Sequence, residues 1–289
     1  MENNTRELLE QKARRIRYLT VDCIGGLGVG HVGGCLSVAD VLAVLYFDVM
    51  NIDPKNPMME GRDRFVMSKG HAGPAVYAAL AERGYFPIQM LKTLNQPNTN
   101  LPSHCDMLRT PGIDMTAGSL GQGFSCAVGI AKAAQIRGGS EYTYSIVGDG
   151  ECQEGQIWEA AMAAAHYQLD HFIAFMDYNK AQIDGAVDEI MSLGDPAAKF
   201  EAFGFFAQRV DGHDVAAIGD AIAQAKAHTG RPSMIVLDTV KGKGAAFAEK
   251  AGVGSHNMPV TPQQREDAMR ALEERWANHG YKRNARHSG

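Results

Sequence analysis

The chain has 289 residues, 45% of them hydrophobic and 21% charged, and its 28 Lys+Arg against 33 Asp+Glu leave a formal charge of −5. That is a globular composition of one or two domains, with no basic footprint for nucleic acid or an anionic membrane. The charged residues 1–22 lack the apolar core of a secretory signal, no segment reaches the roughly 20 apolar residues of a membrane span, and five scattered cysteines without a CxxC pair exclude a disulfide framework or zinc cluster and point to a reduced cytoplasm.

In chain order, Asn4 and Glu7 have capping-box spacing ahead of an amphipathic helix. A glycine-dense stretch follows, in which Gly28, Gly30 and Gly33 match GxGxxG. A dinucleotide-binding unit needs a strand before that motif, and here a charged helix precedes it. The glycines are therefore read as letting backbone approach another ligand or chain. Ser37 is expected to cap a buried helix over 38–49. Arg64–Met67 reads as a short strand and 72–83 as a helix. Gly118-Ser-Leu-Gly-Gln-Gly123 opens an apolar helix over 124–134. Beyond it the pattern alternates: strand 142–147, helix 156–168, strand 171–177, strand 204–210, helix 214–228, strand 233–240 and a surface helix over 261–278. Short apolar strands interleaved with helices predict an α/β fold, a parallel sheet with helices on both faces, in one domain over 1–289.

Gly148-Asp149-Gly150 directly follows one strand, and Asn179 ends the next. Strand C-termini line the ligand crevice of a parallel sheet, so these two side chains belong side by side. One anionic and one neutral oxygen donor suit a hard cation that also takes phosphate oxygens. The glycines let backbone approach a diphosphate, and the helix from Gln156 aims its positive end there. An Asp in a glycine turn beside an unrelated Asn would read the same. His31, His71, His104 and His256 all lie in loops rich in Gly, Ser or Pro. Four such histidines form a set able to bond hydroxyls and shuttle protons near neutral pH. His166, His171, His213 and His228 flank helices or strands and receive no role. Residues 118–123 are either a helix cap or a turn whose carbonyls hold a heteroaromatic ring. Lys241-Gly-Lys-Gly244 is either a phosphate loop or a solvated hairpin, without Walker A spacing.

Taken together, Gly30-His31 with Gly33-Gly34, Ser68-Lys-Gly-His71-Ala72, His104, residues 118–123, Gly148-Asp-Gly-Glu-Cys-Gln-Glu-Gly155, Asp177-Tyr-Asn-Lys180 with Ile183-Asp-Gly185, Lys241–Gly244 and His256 resemble the thiamine-diphosphate-binding half of transketolase, in that family's order. The resemblance implies that Asp149, Asn179 and the main-chain oxygen of Ala181 hold Mg²⁺, with Ca²⁺ or Mn²⁺ as substitutes. His71 and Gly150 would touch the diphosphate, Gly118 and Leu120 the aminopyrimidine, and Ile183 the thiazolium. Lys241 and His256 would line the cofactor and substrate channel. His31, His104 and His256 would bond donor hydroxyls, with His31 or His256 as proton shuttle, and Glu154 would join a dimer-interface carboxylate network. The implied reaction passes a two-carbon ketol unit from a ketose to an aldose, the cofactor serving as electron sink.

A full transketolase chain is far longer and carries, in a pyrimidine-binding domain not found here, the glutamate that activates the aminopyrimidine. The resemblance thus implies the N-terminal subunit of a split, cytoplasmic transketolase. Its partners would be a C-terminal transketolase subunit, in a 2:2 heterotetramer, and sugars or sugar phosphates. Ser255 stands where that family often has tryptophan. The alternatives are the α subunit of a thiamine-dependent 2-oxo-acid dehydrogenase, a transketolase for apulose phosphate or a sulfosugar, and a non-catalytic scaffold.

Overall fold

The computed structural model describes residues 1–277. Helix α1 (Asn3–Leu27) runs into a two-residue strand β1 (Val29–Gly30), then α2 (Val32–Leu36) and α3 (Ala39–Val44), which a π turn prolongs over Leu45–Val49. There follow β2 (Arg64–Met67), α4 (Gly73–Arg83), α5 (Gln122–Arg137), β3 (Thr143–Gly148), α6 (Gly155–His166), β4 (Phe172–Tyr178), α7 (Val187–Met191) and α8 (Pro196–Ala202). The chain then forms β5 (Phe206–Asp211), α9 (Val215–Ala227), β6 (Ser233–Asp238), α10 (Ala246–Ala251), β7 (Met258–Pro259) and α11 (Pro262–Ala277).

Five strands pair in parallel in the order β2-β3-β4-β6-β5, and β1 pairs antiparallel with β7. Alternate strand residues go to opposite cores, because successive side chains point to opposite faces. Phe65, Met67, Tyr144, Ile146, Ile173, Phe175, Ile235 and Leu237 pack with residues of α1, α3, α4 and α9. Val66, Val147, Ala174, Met176, Met234 and Val236 pack with residues of α5, α6 and α8. The sheet is thus covered on both faces, as its continuous apolar strands require. Every residue of β3 and β4 is buried. The register sets Gly148 opposite Asp177, so the loops carrying Asp149 and Asn179 leave the same edge together. No helix among the described residues is long and apolar enough to cross a membrane.

Several local expectations change. Helix α1 starts at Asn3 with Glu2 at the N-cap and no side-chain cap bond, so Asn4 and Glu7 make no capping box. Ser37 does not cap the helix after it. It closes α2, and Val38 precedes α3, because the Ser37 hydroxyl is drawn away to donate to Asp177 Oδ2 at 2.7 Å. Within the chain, Gly33 makes a close approach of its own, where a Cβ would lie 2.2 Å from Ser255 Oγ. The C-terminal helix is the expected surface helix, with Ala268 and Leu272 turned inward, Arg265 paired with Asp22 of α1, and most of its other described residues exposed. Residue 278 of that expectation lies outside the described residues. Asp214 caps α9, its side chain accepting from Ala216 and Ala217 N–H.

Candidate functional site

The C-terminal edge of β3 and β4 carries the oxygen donors. Asp149 is 3% exposed. Its Oδ1 accepts from Gly150 N–H at 2.8 Å and its Oδ2 from Lys180 N–H at 2.5 Å. Asn179 Oδ1 accepts from Ala181 N–H at 3.2 Å, and its amide donates to Asp177 Oδ2 at 2.9 Å. Between them Lys180 takes φ +65, a left-handed conformation costing a non-glycine residue about 1–3 kcal/mol. Two bonds hold it there, its N–H to Asp149 and its carbonyl accepting from Val187 N–H at 3.1 Å. The Ala181 carbonyl accepts from Lys241 Nζ at 2.6 Å. Burial, and then the charge of Asp177, push the Asp149 carboxyl up to about 6. Together with the buried Gln182 Oε1, which has no partner among the described residues, this all-oxygen set fits a hard divalent cation.

Two buried groups underlie that corner. Lys69, 1% exposed, donates to Gly34 O at 2.7 Å and to Asp177, which is fully buried and also accepts from Ser37, Asn179 and Thr239. Burial alone would raise the Asp177 carboxyl, but the Lys69 ammonium and these donors hold it below the usual carboxylate range. Glu151 accepts from Ser68 Oγ at 2.5 Å, Gly121 N–H at 2.8 Å and Gly148 N–H at 3.0 Å. It ties the 118–123 loop to the end of β3, and Gly121 meets it at φ +87, where a side chain would be strained.

The four loop histidines come together. His31 lies 5.2 Å from His71, 5.9 Å from His104 and 5.3 Å from His256 between ring centroids, and His71 lies 5.0 Å from His256. Burial lowers all four, most strongly His71, with Lys69 adding to it, and His256 down to about 4 beside Lys241. At neutral pH this is a set of uncharged imidazoles, each with one donor and one acceptor for hydroxyl groups. Lys241 Nζ stands 3.3 Å from His256 Nδ1, and burial followed by Lys69 lowers its ammonium to about 8.

Most expected site residues share one cleft of about 190 Å³: His71, Leu120, Asp149, Gly150, Asn179, Ala181, Ile183, Lys241 and His256 line it. Ile183 is 65% exposed, so its apolar side chain faces the opening. His31 and His104 adjoin the cleft through the histidine contacts, and a Cβ on Gly118 would lie 3.8 Å from the His104 ring. Glu154 is exposed at the start of α6 and borders the 118–123 loop, where a Cβ on Gly121 would lie 3.5 Å from its Cβ. Ser255 is buried, donating to Gly252 O at 2.7 Å.

Sequence reasoning gave no part in the site to Lys69, Asp177, Ser37 or Thr239. One signal was available. Asp177 interrupts the apolar run of β4 next to its last residue, and a carboxylate in a buried strand needs a partner. Nothing local identified Lys69 as that partner, because the two are 108 residues apart.

Comparison with known proteins points to one family. The family model for the transketolase thiamine diphosphate binding domain matches residues 9–283. The 6-deoxy-6-sulfo-D-fructose transketolase subunit of Clostridium sp. (strain MSTE9) is 57% identical over 269 residues, 93% of this chain and 98% of that protein. An apulose-4-phosphate transketolase subunit of Phocaeicola vulgatus is 37% identical, over 93% of this chain and 95% of that protein. The solved transketolase from Leishmania mexicana superposes with a TM-score of 0.85 at 33% identity, covering 93% of this chain and 41% of that longer one.

Proposed function

Because the chain belongs to the transketolase family, through its thiamine diphosphate binding domain, we propose that it is the cofactor-binding subunit of a two-chain enzyme that moves a two-carbon ketol unit from a ketose to an aldose. The observation that carries this reading is one cleft at the strand ends lined by Asp149, Asn179, His71 and His256, with His31 and His104 adjoining it through the histidine contacts.

In this reading Asp149, Asn179 and the Ala181 carbonyl, which also accepts from Lys241, would hold Mg²⁺. His71 and Gly150 touch the diphosphate, Lys241 and His256 line the cofactor and substrate channel, Gly118 and Leu120 present main-chain groups to the aminopyrimidine, and the exposed Ile183 packs against the thiazolium. Bound thiamine diphosphate supplies the carbon nucleophile and electron sink that a ketose C2–C3 cleavage needs. The protein's part is orientation and proton transfer. His31, His104 and His256 bond the donor hydroxyls, and an uncharged ring nitrogen at His31 or His256 takes a hydroxyl proton and later returns it. The relatives that match along 95–98% of their own length are named subunits, which supports a second chain that brings the glutamate for the aminopyrimidine, in a 2:2 cytoplasmic assembly with exposed Glu154 at the interface.

For the donor, the 57% relative favours a sulfosugar ketose over apulose 4-phosphate, whose subunits stand at 37%. The 2-oxo-acid dehydrogenase reading is disfavoured by the histidine set, which suits a polyol. The test begins with this chain alone. Thiamine diphosphate with Mg²⁺ at about 100 times its Kd should stabilise the fold by about 2.7 kcal/mol. Reconstituted with its companion chain, the enzyme should then turn over 6-deoxy-6-sulfo-D-fructose with an aldose acceptor. A chain neither stabilised by cofactor nor active with any ketose in the assembled state would overturn the proposal.

A further inference from the structure

His213, between β5 and α9, belongs to neither the metal corner nor the histidine cluster, yet both ring nitrogens are engaged. Nε2 accepts from the Val240 N–H at 2.8 Å, and Nδ1 lies 2.8 Å from Asp40 Oδ2. A main-chain N–H can only donate, so Nε2 carries the lone pair and Nδ1 carries the hydrogen that it donates to Asp40. The tautomer is fixed from both sides. Asp40 is itself held by Arg17, with both guanidinium nitrogens Nη1 and Nη2 on its two oxygens, and the pair is 5% and 6% exposed. Burial alone would raise the Asp40 carboxyl, and Arg17 with His213 keeps it below the ordinary value.

This chain of contacts ends on the turn that follows β6. Val240 is tied through its N–H to His213, Gly242 N–H donates to Gly33 O at 3.0 Å, and Gly244, at φ +93, lies against the Arg17 stem, whose Cδ a Cβ would approach to 2.9 Å. Lys241 sits between the first two attachments and reaches into the cleft, onto Ala181 O and beside His256. The Val240 side chain is 45% exposed, so apolar packing does little to hold this residue and the backbone bond to the ring does more.

We propose that His213 is a positioning residue for Lys241: its ring, oriented by Asp40 and Arg17, fixes the Val240 backbone and so sets the lysine in the cleft. The geometry stands without a ligand, while its consequence for cofactor binding rests on the function proposed above. A ring that merely fills space between α3 and the sheet could be replaced by any side chain of similar bulk. One that accepts from Val240 could be replaced only by another acceptor.

His213→Leu and His213→Gln separate the two. In the chain alone, His213→Leu should speed amide hydrogen exchange at Val240 and Gly242 by about 3- to 10-fold, the worth of one net hydrogen bond. His213→Gln, whose side-chain oxygen can accept from Val240 N–H, should stay within about 2-fold of the parent. Nitrogen-15 NMR of the parent should read His213 as protonated on Nδ1 and bare on Nε2. In the assembled enzyme, the leucine variant should raise the KM for thiamine diphosphate by about 3- to 10-fold with kcat at saturating cofactor unchanged. Equal exchange in the leucine variant and the parent, equal loss in the glutamine and leucine variants, or a proton on Nε2 would overturn the relay. A loosened turn with no change in that KM would overturn its link to Lys241. Should the parent enzyme show no affinity for thiamine diphosphate, the proposed function fails, while the exchange and tautomer measurements still decide the role of His213.

Discussion

Replacing Lys69 by methionine perturbs the charge network under the cleft while keeping the stem's volume. The lysine is 1% exposed, and its ammonium bridges Gly34 O and the fully buried Asp177. Without it Asp177 keeps only the neutral donors Ser37, Asn179 and Thr239, and faces Asp149, whose carboxyl it already pushes up. Removing one member of a buried ion pair costs about 3–5 kcal/mol. Three surviving hydrogen bonds place this case near the lower end, about 3 kcal/mol. For a chain of this size each kcal/mol moves Tm by about 2–4 °C, so Lys69→Met should melt about 6–12 °C below the parent by calorimetry at pH 7. Asp177→Asn strands the lysine instead and should cost a similar amount. The double variant removes both charges and should be at least 1 kcal/mol more stable, an order-of-magnitude coupling, than the sum of the single losses. Additive losses around this cycle, or a Lys69→Met chain melting within about 1 °C of the parent, would refute the reasoning.

Three further substitutions probe the site from other sides. Asp149→Ala should abolish the Mg²⁺-dependent rise in Tm on adding thiamine diphosphate while leaving a folded chain by circular dichroism; an undiminished rise would remove Asp149 from the metal. His104→Ala should lower ketose turnover more than cofactor affinity, and equal losses in both would move His104 out of the sugar site. Glu151→Gln replaces an acceptor of three hydrogen bonds, two of them from Gly121 and Gly148 N–H. It should weaken cofactor binding by roughly 10-fold, about the worth of one charge-assisted bond, and unaltered binding would show that the 118–123 loop holds its shape without the carboxylate.

Legibility of the fold tracked the range of the forces involved. Strands β2, β3, β4 and β6 and helices α4, α6 and α9 were readable to within a few residues, because period and burial on both faces are written locally. Helices α7, α8 and α10 were not, since each is only five to seven residues long and too short for a period to register. The capping box at Asn4 and the cap at Ser37 failed for another reason. Each motif describes a bond the side chain can make nearby, and tertiary contacts decide whether it does. Ser37 reaches Asp177, 140 residues away, and leaves the helix after it uncapped.

The same division holds for the site. The order of motifs along the chain determined the family, the strand-end placement of Asp149 and Asn179, and the four histidines as a set, because each depends on residue type and local chain direction. Only the folded chain decided what holds them: the Lys69–Asp177 pair, Glu151 under the 118–123 loop, and the Arg17–Asp40–His213 contact spanning 173 residues to the turn of Lys241. Buried charges must find partners wherever the fold brings them, and no periodicity encodes which distant residue that will be.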